Sequence, residues 1–159
     1  MLAELLRRGG VWYNIASGSP EQFIRETVQG LSLPAGLDRA ALLRETLARE
    51  ASASTAIGLG IALPHPASLL ISSEADSLVA VAYPRYALAW GKDESVESVE
   101  SVESVKAAFF LVSASRQAHL AILSTIAGLC SESAFRALLF SQAGTAELIT
   151  YIESRKSGP

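Results

Sequence analysis

A single cysteine, Cys130, means that no internal disulfide can form in this chain of 159 residues. A reducing compartment, the cytoplasm, is therefore the expected setting. Cys130 lies in an apolar stretch of helical character, where a thiol fills core rather than acts as a nucleophile. Histidine is nearly as scarce: only His65 and His119 are present. Without clustered cysteines, two histidines make a poor structural zinc site, and no metal is expected. Basic residues do not outnumber acidic ones. The formal net charge of -3 gives no footing for direct contact with nucleic acid. No apolar run is long enough to span a bilayer, so no membrane insertion is expected. The first eight residues carry their basic pair, Arg7 and Arg8, after the apolar ones, the reverse of a secretory leader. Gly58-Leu59-Gly60 lacks the further glycine and the lysine of nucleotide loops, and no Gly-x-Ser-x-Gly elbow occurs. No cofactor is expected.

What remains is a chain built for packing. Half of its residues are hydrophobic and 18% are charged, the balance of a folded globule rather than a disordered segment. Its length suits one core, so residues 1–159 are expected to form a single domain. Val11 to Ile15 reads as a short strand. Ser19-Pro20-Glu21-Gln22 is a helix start, with serine as cap and proline at the first helical position. Phe23, Ile24 and Val28 share the inner face of that helix, and Gly30 can end it. Asp38 caps a second helix with Leu42, Leu43 and Leu47 as its buried stripe. The run from Ser54 to Pro64 reads as β-like, its glycines marking a bulge or a close backbone approach. Leu78 to Tyr83 and Lys106 to Val112 read as buried strands. Ser115 caps a helix that carries His119, and two more helices fit Ser133 to Phe140 and Thr145 to Ser154. The irregular alternation of strands and helices predicts an α/β fold, a mixed central sheet flanked by helices.

Residues 94 to 105 break the pattern with four copies of Glu-Ser-Val. A period of three matches neither a strand nor a sustained α-helix. Its glutamates favour solvent. The segment reads as an expanded low-complexity surface loop between two strands that buries little, with an acidic docking loop as the functional alternative.

His65 stands between Pro64 and Pro66. Pro64 has a fixed φ and no backbone donor, and Pro66 pushes His65 towards extended geometry. The imidazole is thus held on a stiff turn at a strand end, a place that fixes where a ring nitrogen points. An unperturbed histidine titrates near ~6.5, so a neutral ring is available at cellular pH. His119 shares a helical face with Ile122, Leu123 and Ile126, so it faces either the core or a cleft. Arg49 lies late in the second helix, and an exposed pair with Glu45 is its ordinary explanation. Ser54 and Thr55 are ordinary polar residues at a strand start.

The run Ser54-Thr55-Ala56-Ile57-Gly58-Leu59-Gly60-Ile61-Ala62-Leu63-Pro64-His65 resembles the active-site motif of the enzyme IIA domains of the fructose/mannitol class of the bacterial phosphotransferase system, nearest to their nitrogen-regulatory branch. Leu42 to Glu50 is similar to the helix before that motif, Lys106 to Val112 to the later buried strand, and His119 to Ala127 to the helix with the second histidine. The resemblance implies a phosphoryl carrier. Nε2 of His65 would be the nucleophile, Arg49 the clamp on the phosphoryl oxygens, and His119 a partner that binds the group or orients His65. Ser54 and Thr55 would give hydroxyls to the phosphate. The implied donor is a histidine phosphocarrier protein, and the implied acceptor a IIB domain or a regulated protein. Two readings of other classes stand beside it. One is a regulatory binding module, free or fused to a helix-turn-helix domain; the other is a metal-dependent hydrolase built on His65 and His119. The family has a shorter turn where this chain carries its Glu-Ser-Val repeat.

Overall fold

A computed structural model describes residues 1–91 and 102–156. The elements run α1 (Leu2–Gly9), β1 (Val11–Ile15), α2 (Pro20–Gly30), α3 (Arg39–Ser52), β2 (Ile61–Ala62), β3 (Leu78–Pro84), β4 (Leu88–Trp90), β5 (Glu103–Val105), β6 (Ala107–Val112), α4 (Arg116–Cys130), α5 (Ser133–Phe140) and α6 (Thr145–Lys156). Four strands form a sheet in the order β1-β3-β6-β2. β3 and β6 pair antiparallel, while β1 joins β3 and β2 joins β6 in parallel, so the sheet is mixed as expected.

Both faces of that sheet are covered, which is why its central strands read as continuous apolar runs. The pleat sends alternate residues to opposite sides. Val79, Val81, Tyr83, Phe109 and Leu111 meet α1, α4, α5 and α6 on one side. Leu78, Ala80, Ala82, Ala108, Phe110 and Val112 meet α2, α3 and the small β4-β5 sheet on the other. Helix starts follow their caps. The hydroxyl of Ser19 accepts from the Gln22 amide, the carboxylate of Asp38 from Ala41, and the hydroxyl of Ser115 from Ala118.

α1 has no counterpart in the sequence reading. Leu2, Leu5, Leu6 and Gly9 lie on its buried side. Gly9 permits its contact with the sheet, because a Cβ there would stand 2.0 Å from the Val79 carbonyl oxygen. Among the described residues no single helix is long and apolar enough to cross a membrane.

Two expectations change. The run from Ser54 to Pro64 is mostly turn. Only Ile61 and Ala62 pair with β6, and Gly58, Leu59 and Gly60 all take left-handed φ of 85°, 64° and 80°. The Ile57 amide donates back to the Ile61 carbonyl and the Leu63 amide to the Thr55 carbonyl, which folds the segment on itself. At Gly60 a Cβ would lie 3.3 Å from both the Ser104 carbonyl and the Phe140 ring, so the close approach is real. The second change concerns the repeat. Its last copy, Glu103-Ser104-Val105, is strand β5, antiparallel to β4, with Val105 fully buried. Burial of one residue in three overrides a period that by itself specifies no structure. The Glu103 carboxylate also accepts from the Gly58 amide at 2.9 Å. This copy therefore supports the motif turn instead of standing clear of it. The positions from Glu94 to Ser101 lie outside the described residues.

Candidate functional site

The segment after β2 carries His65 between β6 and α3. The Leu111 amide donates to the Pro64 carbonyl and tethers the turn to β6. The Ala67 amide donates to the Glu45 carbonyl, and the Ser68 hydroxyl to the Glu45 carboxylate at 3.1 Å, tethering it to α3. Between these two ties His65 is only 9% exposed. Its Nδ1 lies 2.7 Å from the Leu63 carbonyl oxygen. A carbonyl only accepts, so Nδ1 carries the proton and Nε2 keeps a free lone pair.

His119, in the first turns of α4, brings its ring centroid to 4.7 Å from that of His65, tilted by 55°. Both rings line a cavity of about 430 Å³, together with Arg49, Pro66, Ser68, Ser113 and Arg116 among others. Burial is the main cause that lowers the pKa of His65, and the Arg49 charge adds to it against the raising effect of the Leu63 carbonyl. Burial also leads the lowering at His119, followed by the neighbouring His65 and by Arg49. Both rings are therefore neutral at pH 7.

The structure brings together His65, His119 and Arg49. Arg49 is not paired with Glu45, whose carboxylate holds Ser68; it donates instead to the Ala53 carbonyl at 2.8 Å, at the end of its own helix. Ser54 and Thr55 are elsewhere. Neither lines the cavity. The Thr55 hydroxyl donates to the Glu50 carboxylate at 2.5 Å, and the Ser54 hydroxyl accepts from the Ala56 amide. The Thr55 hydroxyl, already committed to a carboxylate, is not placed to serve a phosphate at His65.

Sequence reasoning missed three residues. Glu50 collects the Thr55 amide, the Thr55 hydroxyl and the Trp90 indole N–H, joining α3, the motif turn and β4. Its signal is a carboxylate near the end of α3, four residues after the buried Thr46 and so on the same face of the helix. Arg116 lies three residues before His119 on the same helical face. Ser113 sits two residues beyond Leu111, where the strand alternation reserves an inward position. As for metal, no group of three His, Cys, Asp or Glu side chains able to hold an ion occurs among the described residues. The two imidazoles would be an ion's only such ligands. Burial pushes the Cys130 thiol up to about 12, so it is no thiolate at neutral pH.

Two neutral imidazoles and two guanidiniums line one cavity of this α/β domain, a set of groups whose chemistry suits an anion. The chain belongs to the family described as "Phosphoenolpyruvate-dependent sugar phosphotransferase system, EIIA 2", whose profile matches residues 4–155. Its fold is similar to that of nitrogen regulatory protein IIA-Ntr from Neisseria meningitidis, with a TM-score of 0.73 at 22% identity, covering 94% of this chain and 97% of that one. It is also similar to mannitol IIA from Escherichia coli, with a TM-score of 0.59 at 14% identity over 82% and 86% of the two chains. The Escherichia coli complex of mannitol IIA with phosphorylated IIB gives 0.62 at 14% identity over 91% and 94%. No curated protein sequence matches the chain significantly.

Proposed function

We propose that this chain is a phosphoryl carrier that accepts its group on Nε2 of His65. The observation that supports this most directly is the 2.7 Å contact from Nδ1 to the Leu63 carbonyl, because it leaves one ring nitrogen protonated and the other free to attack. The donor is a phosphohistidine on a histidine phosphocarrier protein, its ring protonated at the second nitrogen. The lone pair of His65 Nε2 forms the new N–P bond as the donor N–P bond breaks. The donor ring leaves as neutral imidazole, and the positive charge passes to His65. The Nδ1–H of His65 stays on Leu63 throughout, so no proton need move.

The transition state of such a transfer is loose, and its charge sits on the phosphoryl oxygens. The Arg49 guanidinium is the clamp for that charge. His119, held neutral beside His65, disfavours protonation of the nucleophile and offers an N–H to the transferred group. Thr55 and Ser54 act at a distance, by shaping the turn that carries His65. No cofactor takes part. The group then passes to a IIB domain, or its presence on His65 regulates a partner protein. The regulatory reading draws on the cavity mouth, where Leu69 and Leu120 are 55% and 58% exposed, an apolar rim that a partner would cover together with the phosphoryl charge. The reaction is set in the bacterial cytoplasm, where the donor is found.

The test is incubation with phosphoenolpyruvate, enzyme I and the phosphocarrier protein, followed by intact mass. The expected result is one acid-labile, base-stable phosphoryl group per chain. No mass gain under conditions that phosphorylate a control IIA domain refutes the proposal.

A further inference from the structure

Two polar side chains in the His65 cavity have nothing to do within the protein. Ser113 is only 4% exposed and lines the cavity, yet its hydroxyl has no hydrogen-bond partner among the described residues. The buried side-chain oxygens without a partner among the described residues are those of Ser17, Thr27 and Thr46; the Ser113 oxygen is not one of them, so it opens onto the cavity and is free to donate into it. Arg116 lines the same cavity from the first turn of α4, and its guanidinium has neither an ion pair nor a hydrogen bond among the described residues. It is also near the N-terminal end of that helix, where the backbone dipole adds positive potential.

These residues sit apart from Arg49 in the fold. Arg49 reaches the cavity from the last turn of α3, whereas Ser113 and Arg116 flank the link from β6 to α4. The cavity, about 430 Å³, has room for a phosphoryl group, and the planar fork of one guanidinium meets only part of its three oxygens.

The geometry points to Ser113 and Arg116 as a second arm of the anion site, holding the oxygens of a phosphate-type dianion seated at Nε2 of His65 while Arg49 holds it from α3. The inference rests on the phosphoryl-carrier reading for its reaction but not for its ligand. Ser113 gives a neutral O–H donor and Arg116 a charged fork. Together with Arg49 they distribute donors around three equatorial oxygens. The arm also explains why a hydroxyl occupies an inward position that follows Phe109 and Leu111: an apolar residue there would leave the oxygens facing hydrocarbon.

The test uses two probes of increasing demand on the whole chain. Inorganic phosphate reports anion holding alone, read from the NMR signals of the His65 and His119 rings. Phosphoramidate, a small donor without a protein surface, reports transfer, read by intact mass. Arg116→Gln is expected to weaken phosphate binding and slow phosphoramidate transfer by about tenfold or more, with Arg116→Lys recovering part of the loss. Ser113→Ala is expected to do the same by several-fold, its melting temperature kept as a check. Because Arg116 is exposed, its variants report even if Ser113→Ala folds poorly.

Wild-type behaviour of the Arg116 variants with both probes, combined with slow transfer only from the phosphocarrier protein, would overturn the arm and make Arg116 a docking residue. Absence of phosphate binding by the wild-type protein would overturn it as well. Phosphate binding that depends on Arg116, in a protein that no donor phosphorylates, would instead keep the arm and refute the carrier reading.

Discussion

Two depressions of this molecule are rich in arginine, and they differ in what the arginines are doing. The groove between α2 and α3 is lined by Arg25, Arg39 and Arg44. Arg39 donates to the Val28 and Gln29 carbonyls at the end of α2, and Arg25 pairs with Glu21. Arg44 alone has no partner among the described residues, and neither imidazole nor free hydroxyl stands beside it. In the His65 cavity three donors are left open: Arg116, the Ser113 hydroxyl and the ring of His119. The count of positive side chains would rank the groove first. The count of unengaged donors ranks the cavity first and favours it for an anion, since a committed guanidinium must give up one bond to make another; Arg49 there has one such bond, to the Ala53 carbonyl.

Four measurements break or sharpen this contrast. The largest effect belongs to His65→Ala, which is expected to abolish phosphorylation entirely while the melting temperature stays near that of the wild type; undiminished labelling by intact mass would move the nucleophile elsewhere. Next comes Arg49→Gln, expected to slow transfer by about 100-fold, the usual cost of one preorganised donor to a developing charge. Arg39→Gln in the groove is expected to leave that rate unchanged. Rate assays that reverse the two would place the functional anion between α2 and α3.

Third, Arg39→Gln is expected to cost about 1–2 kcal/mol in urea unfolding, because the carbonyls that end α2 lose a charged donor. A neutral result there would mean that the groove arginines are as free as those of the cavity. The smallest effect is on pH dependence. The folded-state pKa values of His65 and His119 lie below the unfolded value of about 6.5. Above that pH both states are neutral and nothing is lost. As pH falls below it the unfolded chain takes up protons that the folded one resists, so stability declines until the folded pKa values are passed. His65→Gln with His119→Gln is expected to flatten part of that decline in thermal melts between pH 7 and 5, and Arg39→Gln to leave it untouched. Equal slopes in all three proteins would show that the rings are not desolvated.

The sequence made most of this fold legible where local chemistry and tertiary packing agree. Ser19, Asp38 and Ser115 announce their helices because a cap is a local hydrogen bond. β3 and β6 are readable because strands covered on both faces are apolar throughout. α1 is hard to read because its eight residues show their amphipathic character only against β3. The motif turn reads as strand because its left-handed run, Leu59 included, leaves no periodic trace. At the site, proline on both sides marks a stiff turn at His65, and only the resemblance of the motif makes that histidine a candidate. Whether Arg49 pairs with Glu45 depends on Ser68, 23 residues from Glu45 along the chain. Ser113 and Arg116 gave no signal of their own, because an inward hydroxyl and an exposed arginine mean something only once the cavity exists around them.

The burial of Val105 has a consequence for inheritance. β5 is the last of four identical units, and its neighbours read only three side chains: Glu103 against the Gly58 amide, Ser104 opposite Ala89, and Val105 beside Leu88. Any unit brought to that place by gain or loss of whole copies supplies the same three. Because each unit is a whole number of codons, slippage in the repeat keeps the reading frame as well. The number of copies can therefore drift from one lineage to the next while the strand that props the motif turn is rebuilt unchanged each time.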